Sequence, residues 1–491
     1  MPILRRILPT FGVILIAFGC SLLIPETIAL LGADGAANDF WAPFLVSLFL
    51  GSVCVSPALV SKKIPELMPK DGILLVVMCW TLIPAIACLP FIIYFHDLGQ
   101  PISWSFAYFE AVSGLTTTGA TVIVGLDGLP YSINFWRCFL QWLGGMGILI
   151  LAVAILPLVS TGAGSIFRAE STGPLKEAKL TPRIAQTAKG LWGVYCLFSL
   201  ACVVAYWAGG MTWGDAWIHM FSTMSLGGLS SHDDSFGFFQ SPTLEWISIV
   251  FMLIASGSFA LYFVALSKRK VLIVFRDPEW IGTLALLVSA SALITVVLLA
   301  NDVYDDPLVA LRMAMFNTVS LGSTTGYSTT DYNQWPIFAP VLMLLLSGVA
   351  TSAGSTGAGI KMARLVILIK QTRREIMRML HPRVVDPLII DGELVANRTI
   401  FAVLAFMLVY GATILSLTFI LLLTNMPLDT AFSAVVATVN NAGPGLNEIG
   451  PTGNYSGLTE FQVNVCAIAM ILGRLEMMSF LAIFTFEFWR E

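Results

Sequence analysis

Apolar residues dominate this chain in ten long runs, 8–31, 41–60, 72–95, 134–160, 186–208, 242–267, 280–300, 336–370, 399–424 and 457–488, separated by polar connections. A helix needs about 20 mostly apolar residues to cross a bilayer, and inside the bilayer its backbone must satisfy its own hydrogen bonds. The pattern therefore predicts an all-α polytopic membrane protein with ten helices. The first run is too long for a secretory signal and lacks a small-residue cleavage site, so it is read as a retained helix. Four further stretches, near 103–116, 214–225, 306–322 and 428–439, suit a helix but are too short to cross. Each runs into a glycine-centred string: Thr117-Thr118-Gly119-Ala120, Leu226-Gly227-Gly228-Leu229, Thr324-Thr325-Gly326-Tyr327 and Asn441-Ala442-Gly443-Pro444. Half-helices that enter the membrane and hand over to a glycine-containing loop fit this spacing. Glycine allows a strand-like backbone to turn its carbonyls toward a common axis.

Charge gives the direction. Arg5 and Arg6, Lys62 to Lys70, Arg168 to Lys189, Lys268 to Arg276, Lys361 to Arg398 and Arg490 fall on alternate connections. Basic residues accumulate on the cytoplasmic side, so both termini are expected there and the glycine strings face outward. Arg137 and Arg312 are the exceptions, each beside a helix or half-helix where it meets carbonyls or an acid. All four helix, half-helix, helix units then start on the same side. They are parallel repeats about an axis along the membrane normal, which predicts one pseudo-fourfold pore. The expected division is 1–65 for two leading helices, then pore repeats at 66–165, 166–270, 271–385 and 386–491.

Composition excludes other classes. With 57% hydrophobic and 11% charged residues and a mean hydropathy of +0.84, the chain belongs in a lipid bilayer. A net charge of -4 gives no basic field for nucleic acid. The eight cysteines stand singly in apolar runs, and His96, His219, His232 and His381 have no metal-ligand spacing. No GxSxG, HExxH or GxxxxGK[ST] string is present, so the chain is not read as an enzyme. An ion-coupled secondary transporter, driven by protons or sodium, is the alternative. A transporter of organic solutes would predict inverted repeats and paired midplane charges, which the parallel repeats disfavour, and the lack of a midplane carboxylate relay favours gated passive flow over ion coupling.

Several strings carry a family resemblance: SGLTTTGAT (113–121), QWLGGMGI (141–148), STMSLGGLSSHD (222–233), SAGSTGAGIK (352–361), VNNAGPGL (439–446) and GRLE (473–476). They resemble the TrkH-type potassium-translocating subunit of bacteria, in the Trk/Ktr/HKT superfamily, over nearly the whole chain. The resemblance implies potassium uptake across the bacterial inner membrane, K+ as the transported ion with no organic cofactor, a homodimer, and a cytosolic nucleotide-binding regulator of the TrkA type. It implies that Gly119, Gly228, Gly326 and Gly443 are filter glycines. The filter backbone is then Thr116, Thr117, Thr118 and Gly119; Ser225, Leu226, Gly227 and Gly228; Ser323, Thr324, Thr325 and Gly326; and Asn440, Asn441, Ala442 and Gly443. Backbone oxygens from four such loops can replace the water around a potassium ion without a fixed charge to trap it. None of the loops has the channel string TVGYG, so looser discrimination is expected than in a potassium channel. Among superfamily relatives a serine in the first loop is associated with sodium passage, and Gly119 argues against it here.

Below the third filter string, Gly348, Gly354, Gly357 and Gly359 are mixed with Thr351, Ser352, Ser355 and Thr356. Each glycine costs about 1 kcal/mol against alanine in a helix, so run 336–370 should unwind there. The resemblance places an intramembrane gating loop at this point. Arg474 stands inside the last apolar run, where a charge costs at least ~2.5 kcal/mol and must face protein or water. By resemblance it is a pore-facing arginine, expected to touch the 348–359 loop and restrain permeation. Asp233, Asp234, Asp331 and Glu448 lie on the outer connections, where they are solvated or concentrate cations. Docking of the regulator on Lys361 to Arg383 or on 165–183 is implied by the family alone.

Overall fold

The computed structural model of the chain describes residues 2–61, 68–159, 184–390 and 393–490. The two leading helices, Pro2–Ser21 and Trp41–Ser61, cross through small residues. A Cβ at Gly12 would strike the Gly51 carbonyl, and the Ser47 hydroxyl donates to the Leu15 carbonyl at 2.6 Å. Lipid tails are as apolar as a leucine side chain, so close backbone approach does much of the work of joining helices here. Arg6 anchors this pair to Pro69–Ala87 by donating to both carboxylate oxygens of Asp71, at 2.8 and 2.9 Å.

Four short helices match the expected half-helices: Trp104–Leu115, Trp213–Ser225, Pro307–Gly322 and Leu428–Val439. The first three start at capping side chains, Ser103, Thr212 and Asp306, which accept the N–H of Phe106, Asp215 and Leu308. Every one ends where its glycine string begins. Each is followed by a helix that packs on the next half-helix in turn. Tyr131–Val159 packs on Trp213–Ser225, Pro242–Ser256 on Pro307–Gly322, and Phe338–Leu346 on Leu428–Val439. Glu460–Arg474 then returns to Trp104–Leu115, so the two ends of the repeat series meet and close a ring.

Six helices among the described residues are long and apolar enough to cross a membrane. A bent pair raises this to seven, and Tyr131–Val159 covers the expected run 134–160. Runs 8–31 and 72–95 have one-residue breaks at Leu22 and Cys88 that leave the span continuous, and three others of the ten expected runs are interrupted outright. Run 242–267 turns by 89° between Pro242–Ser256 and Phe259–Ser267, at Gly257 and Ser258. Run 336–370 stops at Leu346 and resumes at Met362, as its glycines predict. Run 457–488 stops after Arg474, where Glu476 and Met477 take positive φ of 54° and 32°. The first and third of these breaks leave little mark on hydropathy, because the residues on both sides remain apolar. The boundaries expected at 65 and 165, and the regulator segment 165–183, lie outside the described residues.

Candidate functional site: a ring of four loops above a single plug

The four glycine strings share one backbone. Two residues before each filter glycine the chain is left-handed, at Thr117, Leu226, Thr324 and Asn441, with φ of 55°, 56°, 66° and 52°. The glycines are left-handed as well, at 83°, 74°, 87° and 84°. The residue between them is not, so the sign of φ alternates along each loop. A left-handed residue that is not glycine costs about 1–2 kcal/mol, so the repetition at four sites is imposed by the surroundings.

What the turn achieves is visible in its hydrogen bonds. Thr118, Gly227, Thr325 and Ala442 donate their N–H groups to Ser113, Ser222, Ser320 and Ala437, at 2.9, 2.8, 2.8 and 2.8 Å. Thr117, Leu226, Thr324 and Asn441 donate to Gly114, Thr223, Leu321 and Thr438. This six-to-one and five-to-two pairing closes off the carboxyl end of each half-helix. The N–H groups of the loop are thereby turned back into the helix. Among the described residues the carbonyls of Thr117, Thr118, Leu226, Thr324, Thr325 and Ala442 accept no hydrogen bond. The negative ends of four helix dipoles point the same way.

The loops interlock in cyclic order. A Cβ on Gly119 would overlap the Gly227 carbonyl, one on Gly228 the Thr325 carbonyl, one on Gly326 the Ala442 carbonyl, and one on Gly443 the Thr118 carbonyl. Each glycine therefore makes room for an oxygen of another loop, and the fourth contact closes on the first. All four glycines line one small cavity of about 80 Å³, together with Ser230, Asp233, Ser328 and Tyr455.

Bracing residues behind the ring carry no sequence signal of their own. A side chain of three half-helices holds the chain three residues past the glycine: Glu110 accepts the N–H of Val122, Asn317 that of Thr329, and Ser433 that of Leu446. In the second repeat His219 instead meets the Ser230 hydroxyl at 3.0 Å. Arg137 pairs with Glu110 at 2.8 Å, both side chains fully buried, and donates to the Ser230 carbonyl of the next loop. Arg312 pairs with Glu245 at 3.0 Å. Both arginines that break the charge pattern thus meet an acid, as expected from their positions. Tyr327 donates to the His219 carbonyl and Tyr455 to the Gly443 carbonyl, while the Asn441 amide reaches the Thr118 hydroxyl at 2.8 Å.

The opposite side of the ring has no such symmetry. Residues 347–361 form one irregular loop held by backbone bonds from Ser352 to Ser256, Phe259 to Gly354 and Met362 to Thr351. Gly354, Gly359 and Lys361 have φ of 78°, 86° and 70°. The loop sits against the third glycine string, since a Cβ on Gly357 would lie 3.2 Å from the Thr324 hydroxyl. Arg474 is 2% exposed and donates to the Thr356 carbonyl at 2.9 Å and the Gly144 carbonyl at 3.5 Å. Among the described residues no acid pairs with it. Glu476 turns away to Arg364 at 2.8 Å and Lys361 at 3.6 Å. Among the described residues the guanidinium beside the loop is therefore offset by carbonyl dipoles and by the Trp80 ring, 5.8 Å away, and by no carboxylate.

Beside the cavity, loops of the first two repeats are tied by His232, which meets Asp127 and, at 3.4 Å, Asp215. It also stacks 3.5 Å from Phe238. Burial pushes the imidazole down, yet its hydrogen bonds and attraction to Asp215 and Asp127 outweigh that and raise it above its ordinary range. Two of the acids expected to be solvated or to concentrate cations accept backbone N–H groups instead: Asp233 that of Gly125, 108 residues away, and Asp331 that of Asn333. The stacking of His219 on His232 is a contact that spacing along the chain does not reveal.

Comparisons with known proteins identify the family and the fold. Residues 44–304 and 280–488 match the TrkH family, described as cation transport protein. The chain is 42% identical over 489 residues to the Trk system potassium uptake protein TrkH of Vibrio parahaemolyticus, covering 99% of both chains. It is 39% identical over 487 residues to the protein of that name in Escherichia coli K12, again covering 99% of both. Its fold superposes on the crystal structure of the potassium transporter TrkH from Vibrio parahaemolyticus with a TM-score of 0.90 at 40% identity, covering 99% of each chain.

Proposed function

The chain belongs to the TrkH family of cation transport proteins, and from that membership we propose that it takes up potassium by passive flow through the ring of filter carbonyls. It is a multi-pass membrane protein of a transport family and not an enzyme. The observation that carries the reading is the closed cycle in which each filter glycine abuts a carbonyl of another loop. Four backbone oxygens at one level can replace part of the hydration shell of an ion, and the helix dipoles behind them add to the attraction for a cation. The repeats 66–165, 166–270, 271–385 and 386–491 each supply one loop, after the leading pair 1–65.

Arg474 and the 347–361 loop act as the gate. A buried guanidinium with no acid partner opposes a second positive charge on the same axis, and at an effective dielectric near 20 two unit charges 4 Å apart repel by about 4 kcal/mol. Opening requires the loop, with Gly354, Gly357 and Gly359, to move and draw Arg474 aside. The buried carboxylates Glu110 and Glu245 are each paired with an arginine, which leaves them unsuited to a proton relay and favours passive flow over coupling to protons or sodium. The filter mouth faces the periplasm and both termini the cytoplasm, following the basic residues. A homodimer and a cytosolic TrkA-type nucleotide-binding regulator complete the assembly by family analogy. The cytoplasmic helix Met362–Leu380 offers a docking face, with Ile369, Ile376 and Met379 exposed beside Arg373 and Arg378.

The test is flux in liposomes holding the purified protein, compared for potassium, rubidium, sodium and lithium. Replacing Gly119, Gly228, Gly326 or Gly443 by Ser is expected to abolish the preference among these ions. Retention of the wild-type order in all four variants would remove the filter reading.

A further inference from the structure

Gln141 opens the string QWLGGMGI, whose Gly144 carbonyl meets Arg474 but whose glutamine neither the filter nor the gate accounts for. It lies on Tyr131–Val159 of the first repeat, and its side chain is fully buried. Its amide nitrogen donates to the Gly227 carbonyl at 2.6 Å, and its amide oxygen accepts the Leu229 N–H at 3.2 Å. The Leu229 N–H can only donate, so the orientation of the amide is fixed by the chain. Gly227 occupies the place that Thr118, Thr325 and Ala442 hold in the other loops. A Cβ there would overlap the Gln141 amide, which explains why this loop alone has two adjacent glycines.

The consequence concerns one layer of oxygens. The carbonyls of Thr118, Gly227, Thr325 and Ala442 are the four that abut the filter glycines. Among the described residues only the one at Gly227 accepts a hydrogen bond from a side chain. A donor N–H draws on the same lone-pair density that a cation would use, so this oxygen presents a weaker field than its three counterparts. Weaker ligand fields favour the larger, more loosely hydrated ion.

We propose that Gln141 is a specificity-determining residue: by donating to the Gly227 carbonyl it weakens one of the four oxygens in this layer and shifts the preference from sodium toward potassium. This rests on the filter reading above. Gln141 acts through the carbonyl, so it is a positioning residue whose signature is a change in ion ratio.

The experiment measures potassium and sodium flux in liposomes for wild type, Gln141→Met, Gln141→Glu and Gly228→Ser, at pH 6 and pH 8.5, with folding checked by size-exclusion elution. Gln141→Met is expected to lower the potassium-to-sodium ratio roughly fivefold, about the worth of one ordinary hydrogen bond. Gln141→Glu should show the lowered ratio at the higher pH. It should return toward wild type at the lower pH, where the protonated carboxyl can again donate to Gly227, and wild type should show no such step. If both variants fold and keep the wild-type ratio, or lower all fluxes equally, Gln141 is only a brace and the proposal fails. The isosteric Gln141→Glu decides alone should Gln141→Met not fold, and failure of both to fold would assign the residue to stability and overturn the proposal. An unchanged ratio in Gly228→Ser would instead bring down the filter reading itself.

Discussion

At the ring, four loops repeat one backbone, with left-handed residues at equivalent places and N–H groups returned to their half-helices. On the side where residues 347–361 lie, one loop from the third repeat and one arginine from the fourth have no counterparts in the other repeats. Under the proposed function the difference follows from the tasks. Surrounding an ion requires oxygens on all sides, and therefore contributions from every repeat, whereas closing a path requires one obstruction anywhere along it. The outer side is accordingly over-determined by buried polar contacts. The inner loop is held mainly by backbone bonds among small residues, which can be exchanged at low cost when it moves.

This contrast can be broken most directly at the brace of the outer ring. Glu110→Ala leaves Arg137 buried without its acid, which should cost about 3–5 kcal/mol and appear as a large fall in thermal stability. Little change in melting temperature would show that the ring does not depend on this pair. Next, Gly326→Ala adds a Cβ against the Ala442 carbonyl at a left-handed site, a strain of about 1–2 kcal/mol before any displaced oxygen is counted. The potassium-to-sodium flux ratio should fall roughly tenfold while the protein remains folded. On the inner side the signature should be the reverse. Arg474→Ala is expected to raise potassium flux severalfold with the ratio between ions unchanged, and unaltered flux would refute its role as a barrier.

The smallest effect is expected at the outer mouth. The imidazole of His232 is raised by its acidic partners, so protonation favours the folded arrangement. That contribution is complete below the unfolded value of 6.5 and is lost as pH rises through the higher folded value. Asp127 is half exposed, which limits the gain to about 0.2–1 kcal/mol. Thermal stability of wild type should therefore decline slightly above pH 6.5, and His232→Gln should remove that part of the slope.

How far these features could be read from the sequence depends on whether their causes are local. The half-helices were expected near 103–116, 214–225, 306–322 and 428–439 and are found within three residues of those limits, because caps, apolar runs and glycine turns act over a few positions. The gap in run 336–370 was legible for the same reason. The bend at Gly257 was not, since apolar helix continues on both sides and only the Tyr262 ring and the 347–361 loop beside it reveal why the chain turns. Glu476 was separable from Arg474 by helical spacing, but its pairing with Arg364 and Lys361 joins residues 112 and 115 positions apart. Gln141 lies in a string that resemblance singled out, yet its contact with Gly227 spans 86 residues and has no pattern along the chain.

Sequence by itself determined that this chain lives in a bilayer, carries four units of one design and places a glycine at the turn of each, because hydropathy, charge asymmetry and backbone permissiveness are properties of single residues and short windows. The tertiary structure alone decided which carbonyl faces which glycine, which buried acid meets which arginine and where an apolar helix breaks. Those outcomes depend on atoms brought together from distant repeats, and the free energy of a buried polar group is set by the partner it finds there.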